Sequence, residues 1–450
     1  MAKILIATTP GSGHVNPNLP IVRELLRRGH EVAWYTGDKF RAKIEALGAV
    51  YEPMHDGHDF SHMISRDETF PELAGKQGLA AFTTAFQSVF FRPAPGQYRD
   101  LTAILTRFPA DVIIGDDTCI GAAFVSEKTG IPLVTLATTI YFYRSRDTAP
   151  VGLGLRPDSS PLGRVRNAVL SGLLNTVGLR GLKANADKIR AEVGLAPAGV
   201  GVLESVTMPP DLYLVCTVPA FEYPRSDLLP QTRFIGPMVD APSANFVPPA
   251  WWTEMDGKRP VVHVTQGTVA TDVNDLLVPT LKALANEDVL VVATGAANAA
   301  ELSLAELPAN VRLAPFLPHA NLLPHVDVMV SNGGYQGTNT ALANGVPLII
   351  AGTTEEKPEV AAHVVWAGAG LSLKTQRPSQ AQIVGAVRRV LAEPGFRLNA
   401  RRIQAQAQEY GGAPLAADLI ETLMAGRVAG AQPSTPQVAP RHHSAPLVQG

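Results

Sequence analysis

Asn332-Gly333-Gly334, followed closely by Gly337 and Thr338, is the stretch whose residue types and spacing most clearly suggest chemistry. An apolar run from Asp327 to Val330 precedes it, and Gly337 to Asn344 is patterned as a short helix that Gly345 ends. A strand, a glycine turn and a helix in that order present free N–H groups and the positive end of a dipole to an anion. A diphosphate fits such a socket. An isolated Asn-Gly-Gly would be no more than a tight turn, so the flanks decide. Phe316, between two prolines after the run Val311 to Ala314, is placed to cover a base, and Glu356-Lys357 stands just beyond the next apolar strand, Pro347 to Ala351. Groups that follow consecutive strands of an open parallel sheet meet on one edge.

A second candidate lies near the N-terminus. His14 occupies the loop Pro10 to Asn16 after the apolar strand Lys3 to Thr8. Its imidazole titrates near working pH and suits a general base. Asp116-Asp117 follows the strand Asp111 to Gly115, where a pair of acids is often a helix cap. Gly11-Ser12-Gly13-His14 also invites a dinucleotide reading. That reading fails because Asn16 takes the third glycine position and the second strand ends in Tyr35-Thr36-Gly37 rather than in an acid. No Asp-x-Asp pair accompanies the socket, so neither a metal nor a cofactor is expected.

The elements that must position these residues alternate along the chain. Strand Lys3 to Thr8, a helix marked by Leu19, Val22 and Leu26, and strand Glu31 to Thr36 make a βαβ start, and the alternation continues as in a doubly wound parallel sheet. A chain of 450 residues, 46% hydrophobic and 17% charged, suits two domains. The formal net charge of −2 gives no overall field for nucleic acid. Cys119 and Cys216 form neither a disulfide framework nor a zinc spacing, and no apolar run reaches spanning length, so a cytoplasmic protein without a transmembrane segment is expected.

From Phe60 to Tyr98 the pattern loosens, with Phe82, Phe86, Phe90 and Phe91 at mostly helical intervals, as in a core stripe. Arg164 to Arg190 mixes apolar and basic residues; it reads as a solvated helix face or cleft wall in preference to a membrane-surface helix. Phe234 to Arg259, rich in proline, is a linker, and a second alternation begins at Pro260 with strand Val261 to Thr265 and the loop Gln266-Gly267-Thr268. Ser379 to Gln382 is a capping box for a helix to about Ala392, and helical patterns run on from Phe396 to Met424. Gly426 to Gly450 has the composition of a disordered tail, in which His442-His443 is too short for a metal site.

Together these motifs resemble the family 1 nucleotide-sugar glycosyltransferases, especially the bacterial macrolide and natural-product branch, over nearly the whole chain. The resemblance implies an α/β GT-B fold, two Rossmann-like parallel-sheet domains facing across a cleft. It divides the chain into an acceptor-binding domain (1–232), a linker (233–259), a nucleotide-sugar domain (260–400), helices packing back on the first domain (401–425) and the tail (426–450). His14 falls on the family's catalytic histidine, and counting back from Gly130-Ile131-Pro132 puts its Asp partner on Asp116 rather than Asp117. Gly13, Thr268, Phe316, Leu317, Asn332, Gly333, Gly334, Gly337, Thr338, Glu356 and Lys357 become the donor site. Phe316 stands where the family has a base-stacking Trp, Asn332 where it has a phosphate-binding His, Thr340 where it has a ribose-binding Glu, and Lys357 where it has a Gln. The implied reaction is inverting transfer of a hexose or deoxyhexose, such as rhamnose, from a dTDP- or UDP-sugar to a hydroxyl of a polyketide, macrolide, flavonoid or lipid-like acceptor. The competing readings are a non-catalytic auxiliary partner of another transferase, and a lipid-intermediate transferase or sugar-nucleotide epimerase of the same fold. The family does not specify the oligomeric state.

Overall fold

In the computed structural model, residues 1–63, 66–76, 78–199, 201–204, 210–243, 245–267 and 272–428 are described. Short runs of β-branched and aliphatic residues form two parallel sheets. The first has seven strands in the order β3-β2-β1-β4-β5-β6-β7, from β1 (Lys3–Ala7) and β2 (Glu31–Thr36) through β3 (Val50–Pro53), β4 (Val112–Asp116), β5 (Leu133–Ala137) and β6 (Leu212–Val215) to β7 (Thr232–Phe234). The second has six, β10-β9-β8-β11-β12-β13, built from β8 (Val261–Thr265), β9 (Leu290–Thr294), β10 (Val311–Ala314), β11 (Val328–Ser331), β12 (Leu348–Ile350) and β13 (Gly370–Ser372). Helices cover both faces of each sheet, which is why β4, β5 and β11 are buried at every residue and read as unbroken apolar runs. This is the two-domain α/β architecture expected.

In each sheet the strand order reverses once at the centre, between β1 and β4 and between β8 and β11. Loops leave a doubly wound sheet in opposite directions at such a point and open a crevice. The register sets Ala7 beside Gly115 and Ser331 beside Thr265, so the loop with His14 emerges next to Asp116, and Asn332 next to Gln266.

The chain crosses between the domains twice, after β7 and again before the last helix. β7 closes the first sheet, ending at Phe234. The helix Pro394–Glu409 stays with the second domain, packing on Tyr335–Ala343, whereas Ala413–Val428 returns to the first: Ala416, Ala417 and Ile420 are fully buried in the core between β1, β4 and the helix Asn18–Arg27. Gly412, at φ +61°, allows the bend between these helices. Residues 401–409 pack on the second domain and also reach the first, where the Ala220 amide donates to Gln406 at 2.7 Å. Of the expected tail, residues 426–428 complete the last helix and 429–450 lie outside the described residues.

A buried ionic cluster joins the domains. His363, on helix Lys357–Trp366, faces the Glu222 carboxylate (2.9 Å) and the Glu359 carbonyl (2.9 Å), while Tyr223 stacks on its ring at 3.6 Å. Arg225 donates to the same Glu222 oxygen at 2.8 Å. Glu359 in turn accepts from the amides of Gly152 and Gly154.

Candidate active site

His14 sits in a single helical turn, Ser12–Val15, at the mouth of β1. Its Nδ1 lies 3.2 Å from the hydroxyl of Thr118, 3.2 Å from that of Thr138 and 3.6 Å from Asp116 Oδ2. The hydroxyl hydrogens are already committed, Thr118 donating to Asp116 (2.7 Å) and Thr138 to Asp117 (2.9 Å). Toward His14 both hydroxyls can therefore only accept, so the proton must be on Nδ1 and the lone pair on Nε2. Nε2 makes no hydrogen bond among the described residues, and the side chain is 23% exposed. The imidazole is held in the tautomer a base needs.

Asp116 is buried and heavily used. Its oxygens accept from the amides of Thr9 (2.6 Å), Thr118 (2.7 Å) and Cys119 (2.9 Å) as well as from the Thr118 hydroxyl. Burial works against its charge, but His14 and these donors hold it below the usual carboxylate range. Asp117 has fewer compensations: burial, with the adjacent Asp116 charge, pushes it up to about 7. For His14 burial alone would lower the pKa, but the Asp116 carboxylate, helped by Asp117 and Glu356, raises it to about 8. Thr118 and Thr138 escaped the sequence reading. The signal available was a hydroxyl residue within two positions of the ends of the neighbouring strands β4 and β5.

The socket forms as a turn after β11. Gly333 has φ +86°, and a Cβ there would lie 2.5 Å from Ile350, so glycine is required twice over. Gly334 caps the helix Tyr335–Ala343, whose first internal bond runs from the Thr338 amide to the Gly334 carbonyl. The preceding amides are the open donors of a helix start. A Cβ at Gly334 or Gly337 would meet nothing within 4 Å, so space adjoins the socket there, and the Thr338 hydroxyl is buried without a partner among the described residues. Asn332 is also buried, its amide donating to the Gln266 carbonyl and tying the β11 turn to the β8 loop. Gly352, not singled out from sequence, packs so closely that a Cβ would strike the Asn332 carbonyl at 2.0 Å.

Phe316 is 75% exposed, an aromatic face left open at the sheet edge, whereas the Leu317 side chain is packed in the core. Lys357 is buried; its Nζ reaches Thr354 (3.2 Å) and pairs with Glu355 rather than Glu356. Glu356 is pushed up by burial, opposed by Lys357, and its field reaches His14. Gly13 borders open space beside His14, and Thr268 lies outside the described residues.

The two halves of the site meet. Gln336, in the first turn of the socket helix, donates to the Thr138 carbonyl at 3.3 Å, and the Thr138 hydroxyl is a partner of His14. One residue thus links the free imidazole to the anion socket. Comparison with known proteins decides the family. The chain is 54% identical over 423 residues to 4'-demethylrebeccamycin synthase of Lentzea aerocolonigenes, covering 94% of this chain and 100% of that protein. It belongs to the family 1 nucleotide-sugar glycosyltransferases. Residues 278–425 of this glycosyltransferase match the family described as "Erythromycin biosynthesis protein CIII-like, C-terminal domain". UDP-glycosyltransferase 2 of Phaeomoniella chlamydospora is 31% identical over 444 residues, covering 94% of this chain and 96% of that one. Among solved structures, the calicheamicin glycosyltransferase CalG4 superposes with a TM-score of 0.71 at 23% identity over 95% of this chain and 99% of that one. The kitacinnamycin glycosyltransferase superposes with 0.71 at 22% identity, covering 94% and 98%. They share the GT-B fold.

Proposed function

We propose that the transferase moves a hexose or deoxyhexose from a nucleoside-diphosphate sugar to a hydroxyl of a hydrophobic natural-product acceptor, with inversion at the anomeric carbon. His14 Nε2 takes the acceptor proton as the hydroxyl oxygen attacks the anomeric carbon and the bond to the diphosphate breaks. Asp116 and the two threonines hold the Nδ1 proton in place and stabilise the imidazolium that forms. The departing diphosphate is received by the amides at the start of Tyr335–Ala343, with Asn332 and Thr338 close by in the chain. Phe316 covers the base, and Glu356 and Lys357 face the sugar. The observation that carries this reading is the locked tautomer, with Nε2 free and the socket helix bonded to the same Thr138.

No metal is assigned to the reaction. His14, Asp116 and Asp117 do offer ligand atoms within 4.8 Å of one another, but the Asp116 lone pairs are taken by four donors and Nδ1 carries a proton. Activity that survives EDTA supports this; activity restored only by a divalent ion overturns it. We favour a deoxythymidine donor. The Thr340 hydroxyl, which donates to the Gln336 carbonyl (2.8 Å), leaves one short, neutral acceptor where a carboxylate would hold both ribose hydroxyls, and Lys357 can only donate to sugar oxygens. The named relatives include UDP-glucosyltransferases, and one solved neighbour is a rhamnosyltransferase complexed with thymidine diphosphate. Titration of one protein preparation with dTDP and UDP, followed by NMR assignment of the product's anomeric configuration, tests both parts. Tighter UDP binding reverses the nucleotide assignment, and a retained configuration removes the single-displacement mechanism.

A further inference from the structure

The helix Pro161–Leu173 is built inside out. Its inward positions, Gly163, Asn167 and Ser171, are small or polar and buried, with Asn167 donating to the Arg146 carbonyl at 3.0 Å. Its outward positions are Leu162, Val165, Val169 and Leu173, continued one turn later by Val177, all between 55% and 83% exposed. Steps of three and four residues put these side chains on one ridge. Leu79 lies against its far end, 3.3 Å from where a Cβ on Gly178 would be. Of the thirteen large hydrophobic side chains that the described surface exposes, seven lie between residues 153 and 177. A concentration of that kind marks a surface that something apolar covers. The mixed Arg and apolar composition of 164–190 did not show that the apolar half points outward.

The charges around the ridge narrow the choice. Between residues 153 and 190 stand seven Arg or Lys and two Asp, a local excess of five positive charges in a chain whose net charge is −2. Arg156, Arg166, Arg180 and Lys188 make no ion pair among the described residues, while both acids are engaged, Asp158 by the Ser160 amide and Asp187 by Lys183. A second copy on the same face would set these cations against one another. It would also bury too little: a ridge of roughly 16 residues is about 24 Å long and about 10 Å wide, some 250 Å² a side against about 800 Å² for a standard interface.

We infer that this face docks on an anionic lipid surface, the ridge entering the headgroup–acyl boundary and the four cations facing phosphates. No helix among the described residues is long and apolar enough to cross a membrane, so the contact is peripheral. Docking also brings the first domain to the phase in which an apolar acceptor concentrates, a consequence that rests on the acceptor class proposed above; the docking itself does not. The test is flotation of the full-length protein with phosphatidylcholine vesicles containing or lacking phosphatidylglycerol. The wild type is expected to float with the anionic vesicles and to be released by salt. Val169→Gln/Leu173→Gln should reduce the bound fraction by about tenfold or more, with its thermal midpoint and dTDP affinity kept. Arg180→Ala/Lys188→Ala should weaken binding to anionic vesicles alone. Failure of the wild type to float, flotation indifferent to both variants, or light scattering that shows a dimer broken by Val169→Gln/Leu173→Gln would each overturn the inference, the last by assigning the face to a second copy.

Discussion

His14 and His363 both sit against acids in this molecule, and they differ in what is left over. His363 has two partners, a carboxylate and a backbone carbonyl, each 2.9 Å from a ring nitrogen, so neither nitrogen is left open for chemistry. Its side chain is 2% exposed, under a stacked tyrosine. At His14 all three partners crowd Nδ1, and among the described residues nothing bonds to Nε2. An acid beside a histidine therefore does not make a base. What distinguishes the two is an asymmetry: one nitrogen over-determined, the other open to the crevice at the switch point of the first sheet. His363 lies on the second domain with its acid on the first, and that placement suits holding domains together.

The sharpest way to break the comparison is to remove each ring. His14→Ala is expected to lower transfer by about 100- to 10,000-fold, the usual worth of a general base, with dTDP affinity little changed and, above pH 8, where the imidazole is neutral, thermal midpoint little changed as well. His363→Ala should do the reverse: it takes a hydrogen-bond partner from the buried Glu222, which keeps Arg225, an event that typically costs about 1–3 kcal/mol, while folded molecules keep their turnover. Denaturant unfolding beside single-turnover kinetics separates the two. Equal turnover in wild type and His14→Ala would end the mechanism.

Exchanging the acids sharpens it further. Asp116→Asn should damage turnover more than Asp117→Asn, for a reason visible in the donors. Asp116 accepts at both oxygens from groups that can only donate, so an amide NH2 must face a donor, whereas Asn at 117 can keep accepting from Thr138. Because His14 must be neutral to act and its pKa is raised to about 8, kcat/KM should climb with pH to a plateau above about 8. In Asp116→Asn the limb should move toward lower pH as the plateau falls. A limb that stays in place in that variant would show that another group titrates. Next in size, Asn332→Ala should weaken dTDP binding by roughly 1–3 kcal/mol, part of it through loss of the tie to Gln266, as titration calorimetry would show.

How far these features were legible depends on the range of the signal. His14 after a first strand, Asp116 after a fourth and a glycine turn after β11 are local patterns, as is the capping box at Ser379, whose helix runs Gln380–Ala392 as read. The reversal of strand order that brings the loops together follows from repeated βαβ units. Thr118 and Thr138 were harder, since a threonine beyond a strand means nothing until the sheet order sets β4 beside β5. Glu222 and His363 are 141 residues apart, with no shared motif, so their pairing appears only once the domains are docked. The Lys357–Glu355 pair depends on a positive φ of 57° at Glu355, a backbone choice that composition does not signal. The outward ridge of Pro161–Leu173 was hidden for a similar reason: apolar residues at helical spacing reveal a face and not its direction.

The smallest expected effect uses stability, where the two histidine sites should leave opposite marks on the pH profile. At Glu222 burial disfavours the charge, but Arg225 and His363 bring its pKa down from the usual 4.5 to about 2. A depressed acid gives stability that is present above pH 4.5 and lost as pH falls toward 2. His14 works the other way. Its pKa rises from 6.5 to about 8, so its contribution is full below pH 6.5 and lost as pH rises through 8. A rise of that size is worth on the order of 2 kcal/mol. Unfolding free energies measured from pH 3 to 9 should therefore lose their acid slope in Glu222→Gln and flatten between about 6.5 and 8 in His14→Ala. If both variants flattened the same limb, the interdomain cluster and the catalytic cluster would be one coupled system, and the division drawn between them would fail.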